Sequence, residues 1–397
     1  MKSMSENKLG TVKEVEHVTS AKPSNVFYGD SAEVQPVGFM DYNEFSKSTK
    51  RIQSMEGFAK EYRDIIDYIM SITHKIWEEK GIGVIYETYH NDVVMHTGVN
   101  SIQGVNEVVS GTLQTLHAFP DRKLYGENVI WSGNDKEGFL SSHRIVSNTT
   151  NLGDSSFGPA TGKKVMFRTI VDCFVHSNRI VEEWLVRDNL YIVKQLGYNP
   201  VEVAKLLAKQ SAHKGPALQS HFGISEVRKG QFMPEEFIRK STAFEIGDFT
   251  LELYNKIWER RLFNYVNDFY AENANVHFIC GTDLTGSQQI QGMLISLFAS
   301  FPNAAFFVDR VTCNERNQEG SWDVAVRWRL QGLHEGIGYF GTPSGQPIKI
   351  LGISHLQIQD EKVTEEWLTF DGLDVLKQIY MQIENDSNKK AKEEALA

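Results

Sequence analysis

The chain has 397 residues, of which 41% are hydrophobic and 23% charged, and its formal net charge at pH 7 is −10. This length and composition indicate an ordinary globular protein of two or three domains, each large enough to bury a core. The acidic balance argues against a nucleic-acid partner, because such binding depends on Lys and Arg contacts to phosphate. No apolar run is long enough to span a membrane, and the polar first residues lack a signal-peptide core, so we expect a cytoplasmic protein.

One pattern of residues occurs twice along the chain. The segment Glu182–Leu185 (EEWL), with Asp188 after it, returns 183 residues later as Glu365–Leu368 (EEWL), with Asp371 after it. Other repeated segments are KIW at 75 and 256, FP at 119 and 301, and KQ at 194 and 377. The spacing between copies drifts by only two residues, which indicates one domain of about 130 residues used in tandem.

The repeat sets the predicted domain boundaries. We divide the chain into an N-terminal arm (1–54), a first domain (55–198), a linker (199–235), a second domain (236–383) and a C-terminal tail (384–397). The arm has no sustained periodicity, which is typical of a segment that wraps one domain.

Each half begins with apolar residues at helical spacing, which predicts a long first helix. A short strand ending in a shared histidine follows, and then a second amphipathic helix that Phe-Pro ends. The rest of each half has the pattern of strands joined by tight turns, followed by a closing helix. This order predicts an α+β fold, in which a strongly bent antiparallel sheet wraps around the long N-terminal helix as a cone. The interior of such a cone is the default place for a small-molecule pocket.

Two segments of the second half carry a family resemblance. Gly332–Gly336 (GLHEG) and Gly341–Gly345 (GTPSG), together with the repeated EEW and late Asp, resemble the SnoaL-like polyketide cyclases of the nuclear transport factor 2-like superfamily. The resemblance covers 55–198 and 236–383. It implies cofactor-free chemistry in which an Asp at the end of the last strand serves as acid and base, and the matching positions are Asp188 and Asp371.

Further candidate site residues come from the resemblance and from the equivalent positions of the two halves. His334 could polarise a carbonyl in the second half, whereas the first half has the sequence SNTTN at 147–151 where a Gly-x-His is expected. Asp172 and His355 occupy equivalent positions on the penultimate strand and would give the two pockets different charges if they faced inward. The other candidate pocket residues are Trp184, Trp367, His96 and His277.

Each candidate also has a structural interpretation. Asp188 and Asp371 directly precede a helix and could be N-caps, a role worth about 1 kcal/mol. The histidines and tryptophans could be ordinary core residues. The four glutamates of the repeated segment are interpreted as a solvated edge: Glu182, Glu183, Glu365 and Glu366.

Two functions of different classes follow. The first is a cofactor-independent acid/base enzyme, of the cyclase, isomerase or lyase type, acting on a small carbonyl-bearing substrate. The alternative is a non-catalytic binding or scaffold protein built from duplicated domains. The sequence has no Gly-x-Ser-x-Gly and no His-x-x-x-His, so we expect neither a serine nucleophile nor a metal. We expect the two sheets to pack together within one chain as an internal pseudo-dimer, with further homo-oligomerisation left open.

Overall fold

The computed structural model describes residues 25–30, 34, 37–47, 53–213 and 233–381. Most of the predicted linker, at 214–232, and the predicted tail, at 384–397, lie outside the described residues, as does much of the predicted arm. No helix in the described part of the chain is long and apolar enough to cross a membrane.

The first half contains a set of helices and a sheet in the predicted order. Its helices are α1 (Tyr42–Phe45), α2 (Ile65–Trp77), α3 (Gly83–Thr88), α4 (Val105–Ala118), α5 (Asn189–Leu196) and α6 (Pro200–His213). Its strands are β1 (Val26–Gly29), β2 (Tyr89–Thr97), β3 (Asn100–Gln103), β4 (Lys123–Asn134), β5 (Gly138–Thr150), β6 (Lys164–His176) and β7 (Arg179–Arg187).

The second half repeats this set. Its helices are α7 (Ile246–Leu253), which continues as a π-helix over Tyr254–Glu259, α8 (Val266–Phe269), α9 (Gly286–Ser300) and α10 (372–381). Its strands are β8 (Tyr270–Phe278), β9 (Thr282–Thr285), β10 (Ala305–Glu315), β11 (Ser321–Leu333), β12 (Pro347–Gln359) and β13 (Lys362–Phe370). Short 3₁₀ turns lie at Phe263–Tyr265 and Ile279–Gly281.

The two sheets have the same strand order, which confirms the predicted α+β cone fold. The first is β3-β2-β7-β6-β5-β4, and the second is β9-β8-β13-β12-β11-β10 with β1 added at its edge. Pairing is antiparallel except between β2 and β7, between β8 and β13, and between β1 and β10. Matching register shifts, between Gly126 and Asn128 and between Val308 and Arg310, are bulges of the kind that bend a sheet.

Local sequence signals account for the element ends. Phe119 and Phe301 are the C-caps of α4 and α9, each directly before a proline, as predicted. The turn between β12 and β13 has positive φ at Asp360 and Glu361, and Asn178 lies in the equivalent turn of the first half. Positive φ at both turn residues matches the right-handed twist of a hairpin.

The N-terminal strand belongs to the other half's sheet. β1 pairs in parallel with β10, whereas Met40, a little further along, forms a bridge with Gly126 on β4. Next to β1, the Asn314 side chain on β10 bonds to both the backbone N–H and the carbonyl of Trp131 on β4, at 2.9 and 2.8 Å. The described part of the arm therefore contacts both halves, rather than the single domain expected from sequence.

The sheets of the two halves pack face to face. Ile170 and Val186 of the first sheet form a buried cluster with Leu351 and Ile353 of the second. Strands in the middle of each sheet are consequently covered on both faces, by the interior of their own cone and by the partner sheet. The face toward the cone determines what a ligand inside it would contact.

Candidate active site

A cavity of about 260 Å³ lies inside the first cone, between the sheet and helices α2 and α4. Its walls are mostly apolar, with Ile69, Ile72, Ile76 and Trp77 of α2 on one side. The polar groups that line it are Thr73, Tyr89, Thr97, Glu107, Thr112, Thr115, Arg122, His143, Thr169, Glu183 and Arg187. An apolar cavity with a few convergent polar groups is the usual form of a small-molecule site.

Glu183 is the central acidic group of this cavity. Strand β7 alternates its side chains, so that Glu183 faces the interior and its neighbour Trp184 faces the second domain. The carboxylate is 3% exposed and accepts a hydrogen bond of 2.9 Å from the Tyr89 hydroxyl. Burial raises the pKa of Glu183 to about 7, against the opposing effect of the Tyr89 hydrogen bond. This carboxyl therefore changes protonation state near neutral pH, as a general acid or base must.

Two arginines bring positive charge to the same cavity. Arg122, just before β4, is buried and donates from Nε and Nη2 to Ser147 Oγ at 3.0 and 2.8 Å. Its Nη1 and the Nε of Arg187, at the end of β7, have no hydrogen-bond partner among the described residues. Burial lowers the pKa of both guanidiniums, and the charge of Arg187 lowers that of Arg122 further.

His143 and Thr169 add uncommitted polar groups on β5 and β6. Burial, followed by the charge of neighbouring Arg144, lowers the pKa of His143 to about 3, so its ring is neutral at physiological pH. Neither His143 Nε2 nor Thr169 Oγ1 has a partner in the described part of the chain. Because buried polar atoms are normally hydrogen-bonded, this concentration of unsatisfied groups in one cavity indicates a place for a polar ligand.

An outer cleft adjoins the cavity. A second cavity of about 430 Å³ lies beside the C-terminal half of α4 and the loop at 154–157. Gly111, Thr115 and Arg187 line both the cleft and the interior cavity. Arg187 is the charged side chain that lines both of them, whereas Glu183 lines the interior cavity.

Large aromatic side chains fill the corresponding interior of the second cone. Trp258 and Trp328 are almost fully buried, with ring centroids 5.3 Å apart, and Phe306 packs within 5.4 Å of both. Trp328 stands at the β11 position that Ile145 holds on β5, and Gly352 stands where β6 has Thr169. A Cβ on Gly352 would overlap the indole of Trp328, so the glycine leaves room for the tryptophan.

The structure places Asp188 and Asp371 at helix N-termini between the domains. Asp188 caps α5 by accepting from the N–H of Tyr191, and its other oxygen accepts from the N–H of Cys280 in the second half at 2.5 Å. Asp371 accepts from two N–H groups at the start of α10 and from Asn189 of the first half. Burial raises the pKa of Asp188 to about 6 and that of Asp371 to about 7. Neither residue lines the cavity of the first cone.

The two tryptophans of the repeat lie on the interface side of their sheets. Trp184 stacks on His96 at 5.2 Å between ring centroids, and the guanidinium of Arg327 from the second sheet lies over its ring at 3.5 Å. Trp367 has the equivalent partners, His277 at 5.2 Å and Arg144 of the first sheet at 3.4 Å.

The histidines at the strand ends are fully engaged. His96 bonds to Ser101 and Glu182 at 2.9 and 2.8 Å, and its ring does not line the first cavity. His277 bonds to Asp283 at 2.7 Å and to Glu365 at 3.0 Å. These pairs hold the edge hairpin of each sheet against the last strand.

Asp172 and His355 also face the partner sheet, not the cones, because β6 and β12 point them away from the interior. Asp172 Oδ2 lies 3.4 Å from Arg327 Nη1 and 3.8 Å from Arg310 Nη1. His355 Nε2 and Ser142 Oγ are 2.8 Å apart in a hydrogen bond between the two domains. Asp172 and His355 were expected to give the two pockets different charges only if they faced inward. They do not face inward, so they do not set the charge of either pocket.

His334 is buried at the end of β11, where it organises a loop. Its backbone carbonyl accepts from the N–H groups of Ser344 and Gly345, and its Nδ1 lies 3.1 Å from Ser344 Oγ. Asn151 holds the equivalent place in the first half, where its carbonyl accepts from the N–H of Gly162. The first half therefore keeps this loop arrangement without the Gly-x-His segment.

Glu183 was not among the site residues predicted from sequence. All four glutamates of the repeat were predicted to form a solvated edge, but Glu183 and Glu366 are 3% and 1% exposed. That assignment is wrong for these two, because each is the cone-facing member of a Glu-Glu pair and bonds to a buried tyrosine, Tyr89 or Tyr270. The repeated tyrosine at 89 and 270 was a signal that could have pointed to the pair.

Metal binding has no clear candidate among the described residues, since no three His, Cys, Asp or Glu side chains there are grouped as ligands.

Comparisons with known proteins found similar solved structures and one matching family model. Similar solved structures include proteins described as SnoaL-like polyketide cyclases from Jannaschia sp. CCS1 (22% identity, 34% of this chain and 90% of that chain covered, TM-score 0.30) and Agrobacterium tumefaciens (16%, 33% and 96%, 0.28). Another is IdmH from Streptomyces antibioticus (20%, 33% and 97%, 0.29). None of the curated proteins matches the chain. The family model described as SnoaL-like polyketide cyclase matches residues 67–196 and again 249–379. The chain therefore belongs to the SnoaL-like polyketide cyclase family and carries two of its domains in tandem.

Proposed function

We propose that the first domain is a cofactor-independent acid/base enzyme that acts on a small carbonyl-bearing organic substrate. The observation that carries this proposal is Glu183, a buried carboxyl with a pKa of about 7 facing a largely apolar cavity. Carboxylates in such surroundings are strong enough bases to take a proton from carbon next to a carbonyl. The second domain, with its interior filled, serves as the scaffold against which the first sheet packs.

The chemistry needs few groups, and the first cone has them. Glu183 takes the proton, and the Tyr89 hydroxyl fixes the orientation of its carboxylate by donating to Oε2. The Thr169 hydroxyl has no partner in the described chain and is available to donate to the developing enolate oxygen. Return of the proton from Glu183 to another carbon of the substrate completes an isomerisation. In a cyclisation the enolate carbon first attacks a second carbonyl of the substrate, whose C=O π bond breaks, and Glu183 returns the proton to the resulting alkoxide oxygen. Asp188 and Asp371 act in this proposal as helix caps.

A second candidate function is binding without catalysis, and one observation favours it. The Glu-Tyr pair also occurs in the filled second cone, where Tyr270 donates to Glu366 at 2.6 Å. Burial raises the pKa of Glu366 to about 7 as well. The pair is thus part of the fold in both domains, and access to the cavity is what distinguishes Glu183.

This duplication supplies the control for the experiment. We would follow deuterium incorporation next to the carbonyl of 2-tetralone, a small ketone, by NMR with the full chain. Glu183→Gln keeps the size of the side chain and its bond to Tyr89 but removes the base. Glu366→Gln makes the same change in the filled cone.

The enzyme proposal expects exchange above the buffer rate, a loss of about 100-fold or more with Glu183→Gln, and wild-type exchange with Glu366→Gln. Exchange that Glu183→Gln leaves intact would reject Glu183 as the base. Binding of the ketone without any exchange would favour the binding function.

A further inference from the structure

Arg122 and Arg187 form a cationic pair in the cavity that no acidic side chain neutralises by direct contact. Neither guanidinium forms an ion pair with a carboxylate within the described residues, and the hydrogen bonds of Arg122 go to the neutral hydroxyl of Ser147. Glu78, the acidic group that attracts Arg122, is itself engaged by Lys123 at 2.9 Å. Glu183 and Asp371 attract Arg187 electrostatically but form no ion pair with it among the described residues. A buried cation without a direct ion pair is costly, which makes the two guanidiniums an attractor for an anion.

Aromatic rings hold the two guanidiniums in place. Arg122 lies over Trp77 at 4.5 Å and over Phe167 at 5.3 Å, and Arg187 lies over the same Phe167 at 6.0 Å. Stacking leaves the edges of a guanidinium free, and these edges carry the N–H groups that bind a carboxylate in bidentate fashion. The unpartnered Nη1 of Arg122 and Nε of Arg187 are such groups.

The described residues of the second cone do not repeat this arrangement. The residue equivalent to Arg187 on β13 is Phe370, and the residue equivalent to Ser147 on β11 is Leu330. Ala304 stands in the place of Arg122, one residue before β10. Cationic groups therefore occur in the cone that has space for a ligand and are absent at the matching positions of the filled one.

We propose that the substrate of the first cone is an apolar-bodied carboxylate, whose carboxylate binds Arg122 and Arg187 while its body packs against α2. This inference rests on the proposed function, because it assumes that the same cavity is the reaction site. Arg187 also lines the outer cleft, so it meets the carboxylate on entry. The anchored substrate then extends toward Glu183.

The test compares two molecules of the same shape, 1-naphthoate and 1-naphthamide, which differ in charge. Their affinities for the full chain are measured by titration calorimetry at pH 6, below the pKa of Glu183, where repulsion from its carboxylate is weakest. We expect 1-naphthoate to bind at least 10-fold more tightly. Arg122→Gln and Arg187→Gln should each remove most of this preference.

Two variants guard against misfolding as an explanation. Arg122→Lys keeps the charge but not the bidentate geometry, and should retain part of the preference. Arg168→Gln removes an arginine that pairs with Glu127 outside the cavity and should leave the preference intact. Equal affinities for both molecules, no binding of 1-naphthoate, or a preference that survives both glutamine variants would overturn the inference. None of these outcomes depends on turnover. The acid/base proposal is tested separately, by deuterium exchange with Glu183→Gln.

Discussion

The guanidinium of Arg144 on the first sheet lies 3.4 Å from the ring centroid of Trp367 on the second, and Arg327 repeats this contact with Trp184 at 3.5 Å. The two contacts are related by the repeat, since both arginines and both tryptophans stand 183 residues apart. An arginine of each sheet thus stacks on a tryptophan of the other, as in the interface of a symmetric dimer. The residues most visible in the repeat hold the domains together.

This reciprocity predicts a measurable coupling across the interface. In a double-mutant cycle of Arg144→Met and Trp367→Leu, the free energies of unfolding should show an interaction of about 1 kcal/mol. The control cycle combines Arg144→Met with Trp184→Leu, a pair for which no ring contact occurs, and should be nearly additive. Additivity in the first cycle, measured by urea unfolding, would mean that the contact contributes nothing to stability.

The aspartates at the ends of the last strands are expected to behave as helix caps. Asp371→Asn should keep the stability of the chain, because Asn caps about as well as Asp, whereas Asp371→Ala should cost about 1 kcal/mol. The same pair of changes at Asp188 should give the same pattern. Both asparagine variants should retain deuterium exchange of 2-tetralone. If the Asp371→Asn protein is folded but shows no exchange, Asp371 takes part in the reaction and is not only a helix cap.

Part of this structure could be predicted from sequence, and there is a physical reason why the rest could not. The repeat, the Phe-Pro helix ends and the strand turns depend on local signals, and they predicted both cones. The sequence did not predict which face of the sheet each side chain of β7 and β13 points to. Both faces of these strands are buried, so the alternation of hydrophobic and polar residues disappears. Trp184 was therefore expected in the pocket and Glu183 in solvent, whereas each lies on the opposite face. The filling of the second cone was also hidden, since it depends on Trp328 and Gly352 meeting across two strands.

Glu366 should make the stability of the protein depend on pH. Its folded pKa is about 7, above its ordinary value of 4.5, so the folded state binds the proton more tightly than the unfolded state. Stability contributed by this group is then present below pH 4.5 and lost as pH rises toward 7, by up to about 1.4 kcal/mol per pH unit.

Glu366→Gln removes that dependence. The free energy of unfolding of the variant, relative to that of the wild type, should be larger at pH 8 than at pH 5, as measured by urea unfolding at both pH values. An unchanged difference between the two proteins would show that Glu366 titrates in its ordinary range.

The pH dependence of activity tests the protonation state of Glu183. As a base it must be ionised, so kcat/KM for deuterium exchange should rise with pH and level off above about 7. Glu366→Gln should leave this profile where it is, because Glu366 lies in the filled cone. Exchange that is constant down to pH 4 would exclude a carboxyl base with this pKa.

We expect one cone to be active and the other to be a filled copy, and a transplant of the filling tests this claim most directly. Trp328 and Gly352 of the second cone are equivalent to Ile145 and Thr169 of the first. The double variant Ile145→Trp with Thr169→Gly therefore gives the first cone the same pair of residues. Deuterium exchange of 2-tetralone should fall to the buffer rate while circular dichroism shows a folded chain, and Trp328→Phe in the second cone should leave exchange unchanged. Exchange that persists with the first cavity filled, or that disappears with Trp328→Phe, would contradict the claim.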